Sequence, residues 1–418
     1  MTCFDDIFVC GKLPPMIFQT RLENGLQVAL ESVLSSTIIS LELFVPMGAL
    51  TENQSGCSSL LEEWLRRGAA GRDAQGFEDA WDDLGALRGS EVGLEGMEFS
   101  VTCLAADAPK ALELLADWVL RPNLAQADYA PSFELAHSAL EGLEDAPDEL
   151  LYAKLWKTAF ASSHGTSPYG TRDGFLRLDA ALVRADYARR CTPQGAVLAV
   201  AGALEWAGLL ELVERFFGAW HGDGLPLPAV QWNPPSTVFE PRDTAQTQIG
   251  LIMPLMPFAG AGYYPSRFGL EVLGGGNSSR LFNEVREARG LVYGIHAGSS
   301  FMRGAGTLEI FASCTPSHTS ETLSTIRAEL ERWRLGIAPD EFARAHIGIQ
   351  TGLAMSLESI GARAAALQRD TVFLGAARGF LAVQTALQQT TLAQVNAWLE
   401  LLDFSQVQTF ILGADISL

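Results

Sequence analysis

The chain has 418 residues, 48% of them hydrophobic and 19% charged, which is apolar enough for more than one core. Its 49 acidic against 29 basic residues give a formal charge of -20 and a pI near 4.7. That balance repels polyphosphate and anionic lipid, so nucleic acid and membrane surfaces are excluded as expected partners. Residues 1–10 lack a basic start followed by an apolar run, and no apolar span approaches the roughly 20 residues needed to cross a bilayer, so a cytoplasmic chain is expected. Six cysteines (Cys3, Cys10, Cys57, Cys103, Cys191, Cys314) are scattered with no Cys-x-x-Cys pair. They signal neither a zinc ribbon nor a disulfide framework and read mostly as small buried apolar residues.

In chain order, Asn24-Gly25 between alternating apolar positions predicts a hairpin within 17–32, and a strand follows over 37–46. Gly48–Glu52 is a loop, and Ser55-Gly56 leads into a helix through Leu60, Leu61, Trp64 and Leu65. A helix at 74–84 sets Phe77, Trp81 and Leu84 on one face. Runs at 86–93 and 97–105 predict strands, the second with Met97, Phe99 and Val101 at period two. Helices are predicted at 107–120, 127–144, 148–160 and 179–189, then a strand at 196–201 and a helix at 205–217. The proline-rich stretch from Gly222 to Pro235 has no periodicity and reads as a linker.

Beyond the linker the order begins again. A strand at 246–253 corresponds to the one at 37–45, helices near 265–273 and 279–288 to those near 56–66 and 74–84, and strands at 292–300 and 305–313 to 86–93 and 97–105. The runs 316–333, 339–358 and 407–413 mirror 106–120, 127–144 and 197–202. The predicted fold is α+β, with two homologous domains, each an antiparallel-rich sheet packed with helices: residues 1–220, a linker over 221–235, and residues 236–418.

One stretch of the second half carries more than fold. Gly274–Gly276 permit a tight or positive-φ backbone, Ser278-Ser279 can cap a helix marked by Leu281, Phe282 and Val285, and Gly290 stops it before strand-like Leu291–Ile295. Arg286 on the helix and Tyr293 on the strand are then candidates to lie side by side, a guanidinium and a phenol suited to holding a carbonyl oxygen or oxyanion. The plainer reading is a surface arginine and a half-buried core tyrosine.

The run from Gly274 to Tyr293 resembles the second-domain signature of the pitrilysin/insulinase-type zinc metallopeptidases, which include the mitochondrial processing peptidases. By that resemblance Arg286 and Tyr293 contact the substrate. It also implies two homologous αβ halves and, among members of this length, two chains enclosing a cavity. The family's zinc motif, His-x-x-Glu-His, should then stand on the helix after the Gly-Ala loop. Here Ser59 and Glu63 occupy the histidine positions, and only Glu62, matching the general base, survives. The third ligand's register, set by the turn Glu144-Asp145-Ala146-Pro147, falls on Ser138 or Ala139. Catalytic zinc needs three protein ligands and an open position, so no metal is expected in this chain.

The remaining residues do not rebuild such a site. The histidines include no i,i+3 or i,i+4 pair, and His137 reads as an ordinary polar residue. Glu62 and Glu63, neighbours pointing about 100° apart on a helix, read as helix-face charges beside Arg66 and Arg67. No phosphate cradle, Gly-x-Ser-x-Gly elbow or activated cysteine is present. The favoured reading is a non-catalytic subunit of a heterodimeric zinc metallopeptidase, offering Arg286 and Tyr293 in trans to a peptide at the zinc of a homologous partner. The alternatives are a peptide-binding or chaperone-like protein, homodimeric if alone and using an edge strand, and a structural subunit without peptidase partner.

Overall fold

Strand alternation sorts the first half's residues between two faces. Val28 and Leu30, Leu41 and Leu43, and Leu198 and Val200 are all buried in one core, while their neighbours Ala29, Ser40, Ala199 and Ala201 are buried on the opposite face. The computed structural model describes residues 16–161 and 163–414, so the reading of residues 1–10, with Cys3 and Cys10, lies outside it. The strands are β1 (Met16–Arg21), β2 (Gln27–Ser32), β3 (Ile38–Val45), β4 (Leu87–Val92), β5 (Met97–Leu104) and β6 (Val197–Gly202), in the order β1-β2-β6-β3-β5-β4. Only β2 and β6 pair in parallel. The Asn24-Gly25 hairpin forms as expected. Asn24 accepts from the Leu26 N–H at 3.1 Å and donates to the Phe217 carbonyl at 2.8 Å.

The second half supplies β7 (Thr237–Pro241), β8 (Thr247–Leu255), β9 (Val292–Met302), β10 (Ala305–Cys314) and β11 (Gln408–Gly413), in the order β7-β11-β8-β10-β9 with β7 and β11 parallel. This is the order β2-β6-β3-β5-β4 again. Two mixed, mainly antiparallel sheets packed with helices are the architecture, and β7 is a strand the periodicity did not mark.

The helices of the first half are α1 (Cys57–Leu65), α2 (Ala74–Asp82), α3 (Ala108–Leu120), α4 (Gln126–Gly142), α5 (Pro147–Ala159), α6 (Arg172–Phe175), α7 (Ala180–Arg190) and α8 (Trp206–Phe217). Those of the second are α9 (Tyr263–Gly274), a π-helix at Phe282–Glu287, α10 (Thr319–Arg334), α11 (Pro339–Glu358), α12 (Ile360–Leu374), α13 (Phe380–Gln389) and α14 (Leu392–Glu400).

Two helices cross between the halves. From the first half, α5 packs on β8 and β11, burying Leu150, Leu151, Leu155 and Trp156 against Ile252, Phe410 and Leu412. From the second, α12 packs on β6, β3 and β2 of the first sheet, where Ala29, Ala199 and Ala201 let the helix approach closely and Arg363 pairs with Glu31. The linker follows this exchange. Trp232 packs against Phe160 with ring centroids 4.5 Å apart and planes tilted by 41°, and the Asn233 N–H donates to the Ala159 carbonyl at 2.8 Å, pinning the linker to the end of α5. Cys57, Cys103, Cys191 and Cys314 are buried free thiols.

Candidate functional site

Helix α1 begins on the Glu52 carboxylate, which accepts from the backbone N–H groups of Gly56 at 3.0 Å and Ser58 at 2.8 Å. Burial pushes the Glu52 carboxyl up to about 7, against the lowering effect of Ser58 and Arg190. Leu60, Leu61, Trp64 and Leu65 are fully buried. The opposite face turns Ser59, Glu62 and Glu63 toward a cavity of about 890 Å³ between the two halves.

Glu62 is not free. It accepts from Arg66 Nη2 at 2.5 Å and from the Ser90 hydroxyl at 2.8 Å, while Arg66 Nη1 stands 3.9 Å from Glu63. Burial raises the Glu62 carboxyl, Ser90 and Arg66 pull it back and Glu63 adds to the rise, leaving it above its ordinary value. At the third-ligand register Ala139 lines the cavity and Ser138 does not. His137 stacks on Phe133 at 5.8 Å and meets the edge of Phe175 at 5.5 Å, so it is spent on packing.

This donor set does not fit zinc. A hydroxyl (Ser59), a carboxylate beside an arginine (Glu63) and a methyl group (Ala139) stand where two imidazoles and a carboxylate are needed, and among the described residues no three His, Cys, Asp or Glu side chains converge as a metal site.

In the second half the glycine run behaves differently from expectation. Gly274–Gly276 keep negative φ. At Gly274 the requirement is space, since a Cβ would meet the Ala297 backbone nitrogen at 2.4 Å, where α9 abuts β9. The expected Ser278-Ser279 cap is also corrected: the segment winds into a π-helix whose start carries no side-chain cap, and the Ser279 carbonyl accepts the Asn283 N–H at 3.0 Å. Gly290, at φ 63°, ends the turn as expected.

Arg286 rides on this π-helix with its guanidinium 4.8 Å from the Phe282 ring centroid. Tyr293 sits in a β-bulge: Val292 pairs with Cys314 and Gly294 with Ser313, leaving Tyr293 without an opposite number. The bulge turns the phenol outward, 57% exposed, between buried Val292 and Ile295. Arg286 lines a second cavity of about 540 Å³ with Gly294, His296 and Phe311. Glu149 and Tyr152 of α5 belong to both cavities and form the wall between them. Among the described residues no hydrogen bond joins Arg286 to Tyr293; they share one end of β9 as two separate projections.

Sequence reasoning missed much of the cavity wall. Gln368, Arg369 and Phe373 come from α12, and Glu149, Tyr152 and Trp156 from α5. Both helices reach the cavity only through the exchange between halves. The Glu62–Arg66 pair was legible as an i,i+4 spacing.

Comparison with known proteins follows this geometry. Residues 27–171 match the insulinase family, peptidase family M16, and residues 177–348 match the peptidase M16 inactive domain. An uncharacterized zinc protease of Mycobacterium tuberculosis is 28% identical over 395 residues, 91% of this chain and 89% of that protein. The uncharacterized zinc protease YmxG of Bacillus subtilis is 23% identical over 389 residues, 91% of this chain and 94% of that protein. A peptidase M16 inactive domain from Pseudomonas fluorescens superposes with a TM-score of 0.87 at 21% identity, covering 96% of this chain and 99% of that one. A protease from Helicobacter pylori also gives 0.87, at 19% identity, covering 96% and 100%. With both halves matched in order and the histidine positions held by Ser59 and Glu63, the chain belongs to the insulinase-type peptidase family M16 as a member lacking the zinc motif.

Proposed function

We propose that the chain is the non-catalytic subunit of a heterodimeric zinc metallopeptidase and supplies Arg286 and Tyr293 to a peptide held at the zinc of a homologous partner. The observation that carries this reading is backbone irregularity. Arg286 is presented by a π-helix and Tyr293 by a β-bulge, two features that interrupt regular pairing and are frequent at functional sites. A structural subunit has no use for either projection. Tyr293 donates to the scissile carbonyl as charge develops on its oxygen, and Arg286 orients the peptide and offsets that charge. Zinc and the water it activates belong to the partner.

The test mixes the chain with a zinc-bearing homologue from the same source. Tyr293→Phe should slow peptide cleavage by about 10²–10³ while leaving assembly and the partner's zinc content unchanged. Arg286→Ala should add a loss of peptide affinity. Wild-type turnover from both variants would sink the in-trans assignment. A second reading, peptide binding without a peptidase partner, draws on β4 and β9 being outer strands with unpaired edges. Peptide capture by the isolated chain that survives both substitutions would favour it.

A further inference from the structure

The cavity between the two halves has a polarity that the lost zinc motif does not account for. Among the described residues Arg369 of α12 is the one cation in its wall. The guanidinium rests 5.7 Å from the Phe258 ring centroid, on a cluster in which Phe301 and Phe373, both lining the cavity, pack on Phe258 at 5.4 and 5.3 Å. Arg369 is exposed, and among the described residues it makes no ion pair or hydrogen bond, in a chain with 49 acidic residues to 29 basic. The aromatic platform restrains it and leaves its N–H donors unspent.

Six glutamates line the same cavity. Four have partners: Glu62 and Glu63 share Arg66, Glu95 holds Arg303, and Glu149 accepts from the Tyr169 hydroxyl at 3.0 Å. The other two, Glu91 on β4 and Glu98 on β5, are directly opposite each other in the ladder, and among the described residues no cation pairs with either. Like charges so placed oppose strand pairing, and burial followed by Glu91 raises the Glu98 carboxyl. A cation brought to them relieves both effects.

This distribution decides the ligand. A free oxyanion entering the cavity meets one guanidinium and six carboxylates, whereas a carboxylate on a molecule with an amine at its other end meets complementary charge at both. Ser90, Glu91 and Val92 line the cavity in succession although alternate residues of a strand face opposite ways, so the cavity meets the outer edge of β4, where backbone groups are free for an extended chain. Its volume of about 890 Å³ has room for several residues. We propose that this cavity holds a short free peptide, its C-terminal carboxylate on Arg369 and its amino terminus at Glu91 and Glu98. The site lies within this chain and does not rest on Arg286, Tyr293 or a zinc-bearing partner.

The test incubates the full, tag-free chain with an equimolar mixture of neutral hexapeptides prepared with both termini free, C-amidated, N-acetylated or doubly blocked. Retention after ultrafiltration at constant ionic strength is read by mass spectrometry. The free form should be retained saturably, with amidation and acetylation each weakening binding by about tenfold or more. Arg369→Gln should erase the preference for acid over amide and keep that for amine over acetyl, and Glu91→Gln with Glu98→Gln should do the converse. All three positions are exposed, so the variants should melt no lower than the wild type. Inorganic phosphate should leave retention unchanged. Absence of saturable retention, equal retention of the four forms, displacement by phosphate, or a preference for acid over amide that survives Arg369→Gln overturns the proposal. The four peptide forms decide the case on the wild-type chain alone should a variant fold poorly.

Discussion

Substituting Asp186 tests what holds the degenerate motif in place. Asp186 and Arg190 are both fully buried, in ionic contact at 2.5 Å on successive turns of α7. Arg190 Nη1 also donates to the Gly48 carbonyl and the Ser58 hydroxyl, each at 3.0 Å, and Asp186 accepts from the Asn53 N–H at 3.2 Å and from Arg189 at 2.6 Å. The pair therefore ties α7 to the loop before α1 and to the first turn of α1. Asp186→Ala leaves a buried guanidinium hydrogen-bonded only to neutral groups, with Glu52 the acid still within electrostatic reach, a change that costs about 3–5 kcal/mol. For a unit of about 200 residues each kcal/mol moves the midpoint by roughly 2–4 °C, so the unfolding of the first half should fall by roughly 6–20 °C. Adding Arg190→Met removes the stranded charge and should recover part of the loss, so the two effects should not sum. Burial by itself would raise the Asp186 carboxyl. Arg190, with Arg189, Cys57 and the Asn53 N–H, outweighs burial and holds it below the ordinary aspartate value. Its stabilisation is accordingly present above the unfolded-state pKa and lost as pH falls through the folded one. Calorimetry and circular dichroism on the single and double variants read all of this. A single-variant loss below about 1 kcal/mol, or strict additivity in the double, would refute the reasoning.

Other outcomes are expected. Leu155→Ala, at a fully buried position where α5 meets the second sheet, should cost about 2–5 kcal/mol and be felt by both halves. Loss confined to the first half's transition would contradict that seat. Glu42, pushed up to about 7 by burial and then by Glu98, stabilises the fold while protonated, and this contribution is lost as pH rises from the unfolded value through about 7. Glu42→Gln should therefore flatten stability across that window and leave the value at low pH unchanged; an unaltered pH profile would argue against the buried acid. Elemental analysis of tag-free protein should find no stoichiometric zinc. It should find none in Ser59→His/Glu63→His and bound metal only after Ala139→Glu is added, all three positions lining one cavity. Zinc retained by the two histidines alone would show the third donor to be dispensable.

The succession of strands along the chain was legible where residues alternate, as in β5 with Met97, Phe99 and Val101, and where the same run of elements recurs after the linker; the order within each sheet and strand β7 were not. The Asn24-Gly25 turn was legible because few residue pairs suit it. Helix α12 was not. Its seat on the first sheet is small and polar, so Ile360–Leu374 needs only alanine-sized contacts there and shows little apolar stripe. The π-helix under Arg286 was invisible because Leu281, Phe282 and Val285 fit an α-helix equally well, and the bulge at Tyr293 because an inserted residue leaves the composition of a strand unchanged. Resemblance pointed to Arg286 and Tyr293, but only coordinates separate Ala139 from Ser138. Adjacent helical residues differ by about 100° in direction, and a spacing argument uncertain by one residue spans that whole angle.

The crossing of α5 and α12 gives the chain the geometry of a swapped homodimer joined head to tail, each half lending the other the helix that covers its sheet. In an isologous dimer of half-length chains the same two contacts would be related by a two-fold axis. Here the segment over 221–235 converts them into one polypeptide. A protease nick in that segment should therefore leave a full-size particle, its two fragments parting only in denaturant. Either half produced alone would carry one helix without its seat and one sheet with a face uncovered.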